Sequence, residues 1–159
     1  MRRIPWSACV AIAVLLASGC DWSDDEAPES PLNEEQAGER AEKHISDTVA
    51  ALPDSLELAP LGRTVSAACD PEPLITVSKR YWLDGLPAEE NDEHVEALVE
   101  YWNTNGYTVV EDLRPDKLFV SVRNDEDKFQ MSVRSGVQGD LSISTSSPCI
   151  HPSGTDESE

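Results

Sequence analysis

Between Leu118 and Thr145 apolar and polar residues alternate within each short segment, and this alternation constrains the fold more than any other feature of the chain. Leu118, Val120 and Val122 stand on one parity, as do Phe129, Met131 and Val133, then Leu141 and Ile143. The opposite parity carries Ser121, Arg123, Gln130, Ser132, Arg134, Ser142 and Ser144. Successive side chains of a strand point to opposite faces, so a period of two predicts a sheet with one dry and one wet face. Strands are expected over 107–112, 117–123, 128–134 and 140–145. The links between them are short and rich in turn residues, which makes the four an antiparallel meander.

The dry face needs a cover, and two helical stripes can supply it. Over 34–52, Ala37, Ala41, Ile45, Val49 and Leu52 recur at helical spacing, with Asn33 as cap and Pro53 as stop. Over 91–104, Val95, Leu98, Val99 and Trp102 mark one face, and Asn105-Gly106 suits a left-handed stop. Residues 74–83 read as a further strand, with Ile75, Val77, Tyr81 and Leu83 on one parity and Lys79 interrupting it. Pro53, Pro60, Pro71 and Pro73 punctuate 53–73, which is expected to be an ordered loop with one short strand. The expected order is α-β-α-β-β-β-β. Its fold class is α+β, a two-layer sandwich with two amphipathic helices on one face of a mostly antiparallel sheet.

The N-terminus sets the expected compartment. Arg2 and Arg3 precede an apolar run over 8–17, followed by Ser18, Gly19 and Cys20, in the layout of a secretory signal. A helix of about ten residues covers roughly half of a ~30 Å hydrocarbon core, too little to span it. Leu16-Ala17-Ser18-Gly19-Cys20 resembles the lipobox of bacterial lipoproteins, with Ala17 where that family more often has Leu. The resemblance implies cleavage before Cys20, a diacylglycerol on its thiol, palmitate in the anchor and a place on the extracytoplasmic face of the cell membrane. Two acyl chains hold a protein stably where one is marginal. The chain then divides into a signal peptide (1–19), a lipidated Cys with an acidic tether (20–33), a single domain (34–151) and an acidic tail (152–159).

Four cysteines sort by position. Cys9 falls in the leader and Cys20 takes the lipid. Cys69 and Cys149 remain, and in an oxidising compartment they are expected to pair as a disulfide. No C-x-x-C spacing or histidine cluster suggests a metal, and neither a metal nor a cofactor is expected.

The formal charge is −19, and loss of Arg2 and Arg3 with the leader takes it to −21. Such a chain repels nucleic acid, so no nucleic-acid partner is expected. No G-x-S-x-G elbow, H-E-x-x-H pair or phosphate loop is present. His44 and His94 are expected on the solvated flanks of the helices. Asn124-Asp125-Glu126-Asp127 fits a hairpin turn better than a calcium loop. In each of Tyr81-Trp82 and Tyr101-Trp102, one ring is expected in the core and the other toward the surface.

The Cys69, Arg80-Tyr81-Trp82-Leu83, Tyr101-Trp102 and Gly106-Tyr107 spacing, with the Ser146-Ser147-Pro148-Cys149 ending, resembles small cell-envelope lipoproteins of high-GC Gram-positive bacteria, the actinobacteria. That resemblance implies an envelope location and carries no activity. The expected role is a non-enzymatic binding or envelope-assembly accessory protein with the membrane and an envelope protein as partners. Arg123, Gln130 and Arg134 on the wet face, with Trp82, form the candidate binding surface. The alternative is a lipoprotein that binds a small molecule or ion for a transporter or sensor.

Overall fold

Asn33 opens the first helix with a reciprocal capping box. Its side chain accepts from the Gln36 backbone N–H at 2.9 Å, and the Gln36 side chain accepts from the Asn33 N–H at 3.0 Å. The structure, a computed structural model, describes residues 30–155. The leader, Cys20 and most of the tether lie outside the described residues.

Helix α1 runs over Glu34–Val49 and helix α2 over Asn91–Thr104. The second matches its expected limits. The first stops before Leu52, where tighter bonds from Ala51 to Thr48 and from Leu52 to Val49 close the last turn ahead of Pro53. Gly106, at φ +76°, makes the left-handed turn after α2 that the sequence anticipates.

Seven strands, three between the helices and four after α2, form one sheet: β1 Glu57–Pro60, β2 Val65–Ala68, β3 Ile75–Asp84, β4 Tyr107–Asp112, β5 Phe119–Asn124, β6 Gln130–Ser135 and β7 Leu141–Ser146. The architecture is the expected α+β sandwich, with one difference. The proline-rich stretch holds two short strands where one was expected, and both pair antiparallel along the same edge of β3. The strand order is β1/β2-β3-β7-β6-β5-β4, with every strand pair antiparallel. β3 joins the meander beside β7, and the connection through α2 carries the chain across to β4 at the far edge.

Both helices lie on one side of the sheet, α1 over β3 and β7, α2 over β4 and β5. The main core joins Ile45, Val95, Leu98 and Trp102 to Val120, Val122, Met131, Val133 and Ile143, all essentially buried. A smaller cluster gathers Ala37, Ala41, Val77, Phe129 and Ile150. Its small alanines let α1 approach the sheet closely, and Leu32 packs against it from before the helix.

The packed unit therefore extends beyond the expected 34–151. Ser30 bridges to Ile150, the Glu34 N–H donates to Pro152 O, and the Gly154 N–H donates to His151 O. Residues 30–33 and 152–155, expected in tether and tail, lie against each other at one end of α1. Acidity and proline content describe their composition but not these local bonds.

The edges are protected against pairing with other chains. β1 and β2 are short, and β1 ends in Pro60. β4 is broken by a bulge between Val109 and Glu111 and carries charge at Glu111 and Asp112.

Candidate functional site

Among the described residues no helix covers the second face of the sheet. The strand register arranges its side chains in three rows. One row runs Ser78, Ser146, Gln130, Arg123. The next runs Arg80, Ser144, Ser132, Ser121. The third runs Trp82, Ser142, Arg134, Phe119. No acidic residue stands in these rows. Asp84 and Glu57 lie beyond one corner and Glu111 on the outer strand.

The small serines between larger neighbours leave a shallow recess of about 330 Å³ lined by Ser78, Arg80, Ser121, Gln130, Ser132 and Ser144 among others. Hydroxyls bond across strands: Ser132 Oγ lies 2.8 Å from Ser144 Oγ, and Ser78 Oγ donates to Ser146 Oγ at 3.0 Å. Ser142 is only 7 % exposed, between its register partners Trp82 and Arg134.

Arg80, Arg123 and Arg134 are exposed. Among the described residues no carboxylate oxygen lies within 4.0 Å of any of the three. Elsewhere Arg40, Lys43, Lys79 and Arg114 each have a carboxylate partner. Lys79 Nζ and Tyr81 OH both donate to Glu42 Oε2 of α1, at 2.9 and 2.7 Å. This accounts for Lys79 interrupting an otherwise apolar parity. Partial burial and the Glu42 carboxylate together push the Tyr81 phenol up to about 12. Arg114 grips Asp112 through two nitrogens and reaches Glu96 at 2.6 Å, and its side chain and backbone N–H hold the Asp112 carboxyl down at about 2.

The sequence candidates thus divide clearly. Arg123, Gln130, Arg134 and Trp82 all stand on the uncovered face, and Trp82 is half-buried there. Arg80 and the serine rows complete the surface; the parity of β3 with Trp82 was the signal for Arg80. The disulfide between Cys69 and Cys149 is present, with Cα atoms 6.0 Å apart. Trp102 is the core ring of its pair and Tyr101 is half-buried against it.

The histidine expectation is corrected. His44 and His94 are buried, at 8 % and 5 % exposure. His44 lies on the sheet-facing side of α1, where its Nδ1 meets Tyr107 OH at 2.6 Å and its Nε2 meets Asp127 Oδ2 at 2.8 Å. Arg40 Nη1 adds a second contact to Asp127 at 3.1 Å. The helical stripe of Ala37, Ala41 and Ile45 places position 44 beside them, so the residue was within reach of the periodicity argument. Its partners on β4 and in the β5–β6 turn were not. Both ring nitrogens are engaged, which makes His44 a link between α1 and the sheet rather than a free base.

Burial raises the Asp127 carboxyl, but the His44 bond and charge, the Phe129 N–H and Arg40 outweigh it and leave Asp127 below the ordinary carboxylate value. A carboxyl lowered on folding contributes stability above its unfolded value of about 3.9, and that contribution disappears as pH falls through the folded value. Asp127→Asn should therefore cost about 1.5–3 kcal/mol near neutrality, the range for a hydrogen bond to a charged group. The gap to the native protein should close as pH drops below about 4. Urea midpoints at neutral pH and below the carboxylate range check this. A gap unchanged by acid would show that the carboxylate charge plays no part.

The chain matches no family model, no curated protein and no solved structure. The fold and the surface together define a class: a disulfide-tied α+β domain with one helix-covered and one open, basic-and-hydroxyl sheet face. Among the described residues no helix is long and apolar enough to cross a membrane, and no metal-ligating cluster occurs.

Proposed function

We propose that this protein is a lipid-anchored extracytoplasmic lipoprotein that binds a partner through the open face of its sheet, without catalysis of its own. The observation that carries the reading is charge segregation. On a chain with 31 acidic and 12 basic residues, the three central rows hold three arginines with no carboxylate partner among the described residues, and no acid. Chance distribution on so acidic a surface would place carboxylates there, as it does on the helix side. An unpaired cationic patch focuses field toward an incoming anionic group. The anchor rests on the lipobox resemblance at Cys20. The Cys69–Cys149 disulfide supports an oxidising compartment.

One experiment tests anchor and face together. The full chain, expressed in a lipoprotein-processing bacterium with a photo-crosslinker at Ser132, should incorporate palmitate and give discrete adducts in isolated envelopes. A crosslinker at Glu39, exposed on α1, should give none. Cys20→Ala should abolish the label and release the chain. Retention of the variant in the membrane would sink the anchor, and equal adducts from both positions would sink the assignment of the face.

A further inference from the structure

We propose that the open face binds a polyhydroxylated polymer bearing carboxylate or phosphate groups, an anionic glycan or polyol. The inference deepens the reading above and rests on it.

Three observations point to this chemistry. First, the arginines do not converge. Strand spacing of about 4.8 Å and about 6.8 Å between alternate residues put the Cα atoms of Arg80 and Arg134 roughly 12 Å apart, with Arg123 at a third corner. Such spacing suits charges repeated along a polymer better than one small anion. Second, the ground between the arginines is hydroxyl. A serine both donates and accepts, as a sugar hydroxyl does, and the cross-strand pairs Ser132–Ser144 and Ser78–Ser146 form a floor that can exchange bonds with either kind of partner. Third, Trp82 and Phe119 terminate the row that holds Arg134, setting half-buried rings at both ends of that row, which runs beside the recess. Rings of this kind give flat apolar contact to the C–H faces of a pyranose.

An acidic protein is the competing occupant, and the surface suits it less. Extended peptides add to sheet edges through backbone bonds. Here one edge is short and proline-ended, and the other is bulged. Arginine forks match both carboxylate and phosphate geometry, so the two anion types are separated by experiment.

Binding of the full chain in neutral detergent should be measured by interferometry against four probes: polygalacturonate, poly(glycerol phosphate), dextran and poly-glutamate. We expect one of the two anionic polyols to bind and to weaken steeply with salt, with dextran and poly-glutamate at least tenfold weaker. R80Q/R134Q should weaken that binding at least tenfold while melting like the native chain. R80K/R134K should recover part of it, and Lys43→Gln on α1 should leave it unchanged. Anionic vesicles serve as a further arm.

The proposal is overturned if neither anionic polyol binds, if R80Q/R134Q binds as the native chain does, or if poly-glutamate or vesicles bind as tightly. If binding fails while Ser132 adducts persist, the partner surface stands and only this ligand class falls.

Discussion

Replacing both Cys69 and Cys149 by serine should lower the stability of the domain by about 4.5 kcal/mol, the chain-entropy value for a loop of 80 residues. The bond joins the end of β2 to the segment after β7. Neighbouring backbone already ties these regions: Cys69 N–H donates to Leu74 O, and Ile75 and Ile150 exchange two bonds at 2.9 and 2.8 Å. β2 itself is exposed along its length and forms the margin of the sheet. Without the bond, little apolar burial holds it there, so the loss should be local first and global second. Amide exchange should quicken at Ala67 and Cys69 well before it quickens at Val120 or Ile143. In thermal melts the midpoint should fall by roughly 10–20 °C, given a few degrees per kcal/mol for a domain of this size. A fall below about 1 kcal/mol in urea would mean that native contacts alone set the stability of this region, against the entropic account.

That pairing was legible in the sequence because it needed only a count and a compartment. The sheet was legible for a related reason. Val120, Val122, Met131, Val133 and Ile143 are core because a period of two leaves them no other face once the opposite parity is serine and arginine. The same logic placed Arg123, Gln130 and Arg134 on the open side. The parts that escaped depend on partners far apart in sequence. β1 and β2 carry little pattern of their own, and they are strands because β3 offers them an unpaired edge. His44 looks like a surface residue beside Glu42 and Lys43, yet Asp127, 83 positions away, receives it. Lys79 reads as an error in a strand until Glu42 of α1 stands opposite. Residues 30–33 read as tether from composition, while Leu32 has a place in the second core. Local pattern fixes which face a residue takes, and tertiary contact decides which polar residues that face can accept.

Trp102→Ala should remove a comparable amount, and for a different reason. The indole is fully buried on α2 amid both helices and the sheet. Its Nε1–H donates to Thr48 Oγ1 on α1 at 3.2 Å, and that hydroxyl in turn lies 3.5 Å from Met131 Sδ on β6. One side chain thus joins three elements. Truncation costs about 3–5 kcal/mol, cavity included, and it also strips the buried Thr48 hydroxyl of the donor it accepts from, leaving it only the weak bond it donates to Met131 Sδ. Trp102→Phe separates the two effects. It retains most of the ring volume and drops the N–H, so its cost should be well under half that of the alanine variant. Against a net stability of about 5–15 kcal/mol for a domain of this kind, the alanine chain should sit near the edge of cooperative folding, with a broadened urea transition and binding of apolar dyes at neutral pH. Equal losses in the two variants would assign the energy to the Thr48 bond and not to packing. A loss under about 1 kcal/mol in both would mean that the helices seat on the sheet through Ile45, Leu98 and their neighbours without this ring.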